Sequence, residues 1–205
     1  AEGPISKKKG SSYLASYRYS TLALFGGLGV PIGTSAVPIY QDLSFKLNFP
    51  QKKGGAISMF GISGASSIDI VLSDQKEPEL ETFGEQDRDQ YFRTKMAVAG
   101  LTYVKPLSEK TFFKTTVAGA FEQQRTQHDI FARSIVNNEY VLDTIYQILG
   151  YDFRQTKYSI SSFVNTKLSK KDVLKFGFNA DLYVFNQRDS VYNDNPGINQ
   201  WIPRW

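Results

Sequence analysis

The feature that most constrains the fold is an alternation of apolar and polar residues with a period of two. In the stretch YQDLSFKLNF (residues 40–49), the odd positions from 43 to 49 are leucine or phenylalanine, and the even positions from 42 to 48 are polar. Successive side chains of a β-strand point to opposite faces of a sheet, so this pattern predicts a strand with one apolar face and one polar face. The PQKKGG that follows at once predicts that the strand ends there.

The same period predicts seven strands, at residues 11–19, 40–49, 55–63, 91–104, 111–125, 156–168 and 173–188. The last of these is among the clearest, because every even position from 174 to 184 is apolar. No apolar run reaches the roughly 18 residues that a transmembrane helix needs. The predicted fold class is therefore all-β, with antiparallel strands.

The connections between these strands predict a sheet with two different ends. Short connections (PISKKKG, PQKKGG, KPLSEKT and SKKD) alternate with long ones at residues 20–39, 64–90 and 126–155. Short turns on one side and long loops on the other are typical of outer-membrane β-barrels. Seven strands cannot close such a barrel, since bacterial single-chain barrels have an even number from eight upward. We therefore expect a transmembrane β-barrel of which this chain is a seven-strand segment.

Two stretches resemble a known family. Residues 2–22, EGPISKKKGSSYLASYRYSTL, and residues 40–64, YQDLSFKLNFPQKKGGAISMFGISG, are similar to the barrel strands of TonB-dependent receptors. The resemblance implies a barrel of about 22 strands, with residues 1–205 as part of its wall and the plug domain outside this chain. It also implies import of a scarce solute such as a glycan, peptide or metal chelate across the bacterial outer membrane. The implied partners are the TonB complex, outer-membrane lipid and a surface lipoprotein lid.

On each strand, alternate side chains are expected to face the lumen of the barrel. The polar residues at those positions are the predicted contacts for substrate or plug. A charge that faces lipid costs about 2–4 kcal/mol at mid-depth for Arg or Lys, so charged residues of these strands are expected to face the lumen. The candidates are Arg18, Asp42, Lys46, Asn179 and Asp181. Tyrosines are expected at the membrane interfaces, and the candidates are Tyr13, Tyr17, Tyr19, Tyr91, Tyr103 and Tyr158.

Catalytic, metal and cofactor sites are not expected. The chain has no cysteine. Its only histidine is His128, and the sequence contains no GxSxG motif that would supply a serine nucleophile. His128 is predicted to lie in a solvated loop. The glycine-rich stretch 25–33 lacks the GxGxxG spacing of a phosphate-binding loop, and we interpret it as an outer loop that folds over ligand or packs on its neighbours. The acidic stretch 74–89 lacks the calcium-loop pattern and is predicted to be a solvated loop.

Lysines cluster in the short turns and form no basic face with interleaved aromatic residues, so nucleic acid is not an expected partner. Two other classes of protein remain as alternatives. One is a small self-standing outer-membrane barrel with a structural or adhesive role, whose eighth strand would have to come from residues 195–205, where Pro196 and Pro203 disfavour a strand. The other is a soluble β-barrel or sandwich that binds an apolar ligand and buries its leucines and phenylalanines in a core.

Overall fold

The computed structural model describes residues 1–20, 28, 36, 38–52, 54–78, 84–193, 197 and 199–204. The strands are β1 Glu2–Ser6, β2 Ser11–Tyr19, β3 Ile39–Pro50, β4 Ala56–Ile70, β5 Arg88–Pro106, β6 Thr111–Val136, β7 Glu139–Lys167, β8 Val173–Asn193 and β9 Gln200–Pro203. They form one antiparallel sheet in the order of the chain, from β1 to β9. Within these described ranges there is no helix that is long and apolar enough to cross a membrane.

Over the described residues the sheet is open and has nine strands, so the prediction of seven was wrong. The additional strands are β1 and β9, each short and each at an edge of the sheet. Both contain a proline, Pro4 in β1 and Pro203 as the last residue of β9. An edge strand tolerates proline because one side of its backbone needs no hydrogen bond from the sheet. Pro203, which argued against a strand at residues 195–205, is therefore compatible with an edge position, and Pro196 lies outside the described residues.

The predicted long loop at residues 126–155 is instead a β-hairpin. Strands β6 and β7 continue through it to a tight turn at Asn137 and Asn138, whose φ angles are 54° and 66°. Positive φ at both central residues is the signature of a type I′ hairpin turn, which asparagine adopts more readily than most residues. The strand pairing is irregular between His128 and Asp129 and again between Ala132 and Arg133, so the period of two is interrupted. The predicted loop 64–90 likewise shortens to residues 71–87, because β4 and β5 extend into it.

The two ends of the sheet differ at the first two predicted long connections, whereas the connection between β6 and β7 is a two-residue turn, so the predicted strict alternation of short and long connections was wrong there. Residues 7–10, 51–55, 107–110 and 168–172 connect strands at one end, which we call the short-turn end. Residues 20–38, 71–87, 137–138 and 194–199 connect them at the other, which we call the long-loop end. The predicted glycine-rich loop at 25–33 belongs to the long-loop end and, apart from Leu28, lies outside the described residues.

Buried apolar side chains are few and lie at the long-loop end. Among the described residues the buried apolar core consists of Ala36, Ile70, Leu72 and Phe131, with Ile68 and Phe92 packed against it. The leucines and phenylalanines of the sheet are instead exposed or half-buried, and Phe176 has a relative exposure of 78%. The described residues therefore form a single-layered sheet, without the sealed apolar core that the soluble alternative requires.

Two glycines of the sheet lie closely against the neighbouring strand. A Cβ atom on Gly177 would lie 2.2 Å from the carbonyl oxygen of Ser162 and 2.5 Å from Cβ of Phe163. A Cβ atom on Gly61 would lie 2.4 Å from the ring of Phe45. A side chain is excluded at Gly61 by the ring of Phe45 and at Gly177 by the close approach of the neighbouring strand at Ser162 and Phe163.

Candidate functional site

The cross-strand register assigns every side chain of the sheet to one of two faces. Directly paired residues in adjacent strands lie on the same face. Leu43 on β3 pairs with Tyr17 and Ser63, and Val117 on β6 pairs with Leu101 and Ile160, on the same face. We call this face the belt face and the other the opposite face.

The belt face carries an uncharged zone, the apolar belt, across β5 to β8. It comprises the belt-face positions from Ala97 to Tyr103, from Phe113 to Phe121, from Thr156 to Val164 and from Phe176 to Val184. Every one of these residues is apolar, aromatic, glycine, serine or threonine. The belt face of β3 continues the zone with Leu43, Phe45, Leu47 and Phe49.

All six predicted interface tyrosines lie on the belt face by register. Tyr103 lies at the margin of the apolar belt towards the short-turn end, whereas Tyr17 and Tyr19 lie towards the long-loop end of β2. Tyr158 lies inside the belt, between Gly119 and Leu182 in the cross-strand register. The tyrosines therefore share a face without forming a single row.

The five predicted contact residues all lie on the opposite face. On β2 and β3, Nε of Arg18 donates to the carboxylate of Asp42 at 2.9 and 3.0 Å. Lys46 lies between Leu14 and Phe60 in the cross-strand register. All five residues therefore lie on one face of the sheet, as their alternation along the strands predicts.

The structure divides these residues into two groups. Asn179 and Asp181 are on β8, five strands away from β3, which at about 4.8 Å per strand separates them by roughly 24 Å across the sheet. Asp181 accepts a hydrogen bond from Oγ of Ser159 at 2.7 Å and forms an ion pair with Nζ of Lys157 at 3.1 Å. Sequence reasoning missed Lys157, although its spacing from Ser159 on one strand places both on the same face.

His128 lies in β6 on the opposite face, so its predicted position in a solvated loop was wrong. Its ring packs edge-on against Phe92 with centroids 5.7 Å apart, and its Nε2 atom is buried without a hydrogen-bond partner among the described residues. Burial lowers the pKa of His128, and the positive charge of Arg88 lowers it further, against smaller opposing effects from Glu85 and Asp129. The histidine is therefore held in its neutral form.

This arrangement predicts a pH dependence for the β6–β7 hairpin. Because the folded-state pKa of His128 is below its ordinary value of about 6.5, the stability that it contributes is present above that pH and is lost as the pH falls below it. We expect hydrogen exchange in residues 126–151, corrected for intrinsic rates, to be faster at pH 5.5 than at pH 7.5. In His128→Gln the difference should shrink, and an equally large difference there would contradict the role of His128.

Asp89 anchors the segment after β4 to the long-loop end of the sheet. Its carboxylate is 1% exposed and accepts the backbone N–H groups of Leu72 and Ser73 at 2.8 and 2.9 Å, as well as the Ser73 hydroxyl. Arg133 donates to the carbonyl of Leu72 at 3.0 Å and lies over the ring of Tyr140 at 3.6 Å. The prediction that residues 74–89 form a solvated loop was therefore wrong at Asp89, while residues 79–83 lie outside the described residues.

Charged residues appear on the belt face directly beyond the apolar belt, towards the long-loop end. The first row beyond the belt contains Lys95, Gln123 and Arg154, and the next contains Arg93, Arg125, Asp152 and Arg188. Asp152 accepts from Nε of Arg154 at 3.1 Å and from Nε2 of Gln123 at 2.7 Å. The hydrogen bond from Arg154 is the main cause of the lowered pKa of Asp152.

These rows border a groove of about 860 Å³. Its lining includes Tyr91, Arg93, Arg125, Gly150, Asp152 and Arg188. Sequence reasoning missed it because residues 126–155 were predicted to be a loop. Among the residues that the structure describes, no group of three or more His, Asp or Glu side chains could hold a metal ion.

Comparison with models of known protein families, with curated proteins and with solved structures finds no match to this chain.

Proposed function

We propose that this chain is part of the barrel wall of a TonB-dependent outer-membrane receptor that imports a scarce solute. The observation that carries the proposal is the apolar belt, whose positions include no charged residue and which Lys105, paired with Phe113, borders on β5 at the short-turn end, while Lys and Asp side chains lie on the opposite face at the same level. Lipid accepts an uncharged surface of this kind, and a water-filled lumen accepts the charged one.

The extent of the belt supports a membrane-spanning wall. On β8 the apolar belt runs from Phe176 to Val184 and Leu174 continues its apolar face towards the short-turn end, so the uncharged stretch extends from Leu174 to Val184. At about 3.4 Å per residue this is roughly 34 Å along the strand, and a strand tilt of about 40° reduces the height to about 26 Å, against about 25 Å for the apolar band of outer-membrane barrels. Strands β6 and β7 continue well beyond the belt, as strands that extend above a membrane surface would do.

The free edge of β8 supports a wall that is wider than nine strands. Strand β9 pairs only with residues Ser190–Asn193, so residues 173–188 have no neighbour on that side among the described residues. In lipid each unsatisfied backbone group costs several kcal/mol. A membrane-spanning β8 therefore requires a further strand beside it, as a larger barrel provides.

In this proposal the opposite face lines the lumen. Arg18, Asp42 and Lys46 then form one polar group available to substrate or plug, and Asn179 and Asp181 form another. The TonB complex, a surface lipoprotein lid and outer-membrane lipid are the proposed partners on the strength of the resemblance at residues 2–64. No catalytic step is part of the proposed function.

The location of the full-length protein and its binding of solute test the proposal. We expect the protein in the outer-membrane fraction, and we expect Asp42→Ala and Lys46→Ala to weaken solute binding about tenfold, the effect of losing one hydrogen bond to a charged group. Lys170→Ala, in a turn at the short-turn end, is the control and should leave binding unchanged. Wild-type affinity in both Asp42→Ala and Lys46→Ala would remove these residues from the contact surface.

A further inference from the structure

The charged rows beyond the apolar belt contain cations that form no ion pair with an acid of the described residues. Arg154 is paired with Asp152, and Arg93 is paired with Asp69. Lys95, Arg125 and Arg188 form no ion pair among the described residues. All three are exposed on the belt face, so they present positive charge at the margin of the belt.

The acids that border the groove already have donors. Asp152 is bound by Arg154 and Gln123, as described above, and Asp129 accepts from Nε2 of Gln127 at 2.9 Å. Asp189 accepts from Arg204 at 2.7 Å. Arg125 and Arg188 are therefore left without an ion pair in the row of the groove nearest the belt, whereas Asp129, whose donor Gln127 is neutral, keeps its negative charge farther towards the long-loop end.

Arg125 and Arg188 are placed to act on one ligand. They occupy the same row on β6 and β8, with Asp152 of β7 between them. Two strand spacings of about 4.8 Å put their backbones roughly 10 Å apart, within the reach of two arginine side chains that converge on a single anion. Arginine is well suited to this role because its planar guanidinium binds phosphate oxygens in a bidentate manner.

We propose that this groove binds the phosphate headgroup of a membrane lipid whose acyl chains lie along the apolar belt. The position supports a lipid rather than a free anion, because Lys95 lies next to Ala97, one step along the same face of β5, and the uncharged belt begins there. Basic residues at a membrane surface attract anionic headgroups with about 1 kcal/mol each. The inference rests on the proposed function, since it requires the belt to lie in lipid.

The test uses the full-length protein in detergent and two probes that differ only in the phosphate: phosphatidic acid and the diacylglycerol with the same acyl chains. We expect native mass spectrometry to show that phosphatidic acid binds and that diacylglycerol binds at least tenfold more weakly. Arg125→Gln combined with Arg188→Gln should weaken the binding of phosphatidic acid by about 10- to 30-fold, the effect of two headgroup contacts. Arg125→Lys combined with Arg188→Lys should retain most of it.

The matched control removes two cations from the opposite face of the same two strands. Lys114 on β6 and Lys175 on β8 lie there, so Lys114→Gln combined with Lys175→Gln changes the net charge equally and should leave lipid binding unchanged. If the arginine-to-glutamine variant does not fold, the inference is tested by comparing how strongly phosphatidic acid and diacylglycerol bind to the wild-type protein.

Three results would overturn the inference: equal binding of the two lipids, wild-type affinity in a folded arginine-to-glutamine variant, or full displacement of the lipid by inorganic phosphate at the same concentration. The last result would identify a site for a soluble anion. A protein that sits in the outer membrane without preferring the phosphorylated lipid would refute this inference and leave the proposed function intact. Absence from the membrane fraction would refute the proposed function itself.

Discussion

Replacing Ile160 by arginine should destabilise the membrane-embedded protein by about 2–4 kcal/mol, the cost of a cation on the lipid face of a barrel near mid-depth. Ile160 lies in the middle of the apolar belt, between Val117 and Ala180 in the cross-strand register. Its side chain is partly exposed, so the cost comes from the surroundings of the belt and not from overpacking of a core. The measurement is equilibrium unfolding of the full-length protein in lipid vesicles.

Ser161→Arg is the matched control. Ser161 is the next residue of β7, faces the opposite side and pairs with Thr116 and Asn179. A water-filled lumen accommodates the charge, so we expect a loss of less than about 1 kcal/mol there. If the belt faces water, Ile160→Arg will be tolerated as well as Ser161→Arg, and the proposed membrane wall fails.

The positions of the strands could be predicted wherever the two faces meet different surroundings. The strand predicted at residues 11–19 coincides with β2, and the one at 40–49 lies within β3. The parity predicted for residues 174–184 is the parity of the apolar belt on β8. An alternating pattern arises only where one face is apolar and the other is polar, and this condition holds over the length of the belt.

A few residues beyond the belt, the continuation of β6 and β7 could no longer be recognised. From residue 121 to residue 127, β6 reads FEQQRTQ, which is polar at nearly every position, so the period of two disappears although the strand continues. The irregular pairing after His128 then shifts the parity, which hides the rest of the strand. Length and turn chemistry were the remaining signals, and Asn137-Asn138 is the hairpin turn that they indicate.

The candidate contact residues could be assigned to a face but not to a cluster. Parity alone places Arg18, Asp42 and Asp181 on the opposite face, as observed. Which of them are neighbours depends on the register between strands, which the sequence of a single strand does not contain. The ion pair between Lys157 and Asp181 and the groove near Arg125 both depend on that register.

Replacing Asp89 by alanine should release the segment after β4 from the sheet. The buried carboxylate is the acceptor for two backbone N–H groups, those of Leu72 and Ser73, and for the Ser73 hydroxyl. Alanine leaves both N–H groups without this acceptor, at about 1–3 kcal/mol for each buried group. We expect the free energy of local opening at Leu72 and Ser73 to fall by roughly 2–4 kcal/mol, measured by hydrogen exchange.

Asp87→Ala is the control, because Asp87 is exposed and its side chain pairs only with the adjacent Arg88 among the described residues. It should change exchange at Leu72 little. Asp89→Asn should give an intermediate effect, since its amide keeps one acceptor oxygen and replaces the other with a donor. Unchanged exchange at Leu72 in Asp89→Ala would mean that the contact of Arg133 with the Leu72 carbonyl holds the segment without the carboxylate. If the carboxylate anchors the segment through its acceptor oxygens, the effect on hydrogen exchange at Leu72 should decrease in the order Asp89→Ala, Asp89→Asn, Asp87→Ala.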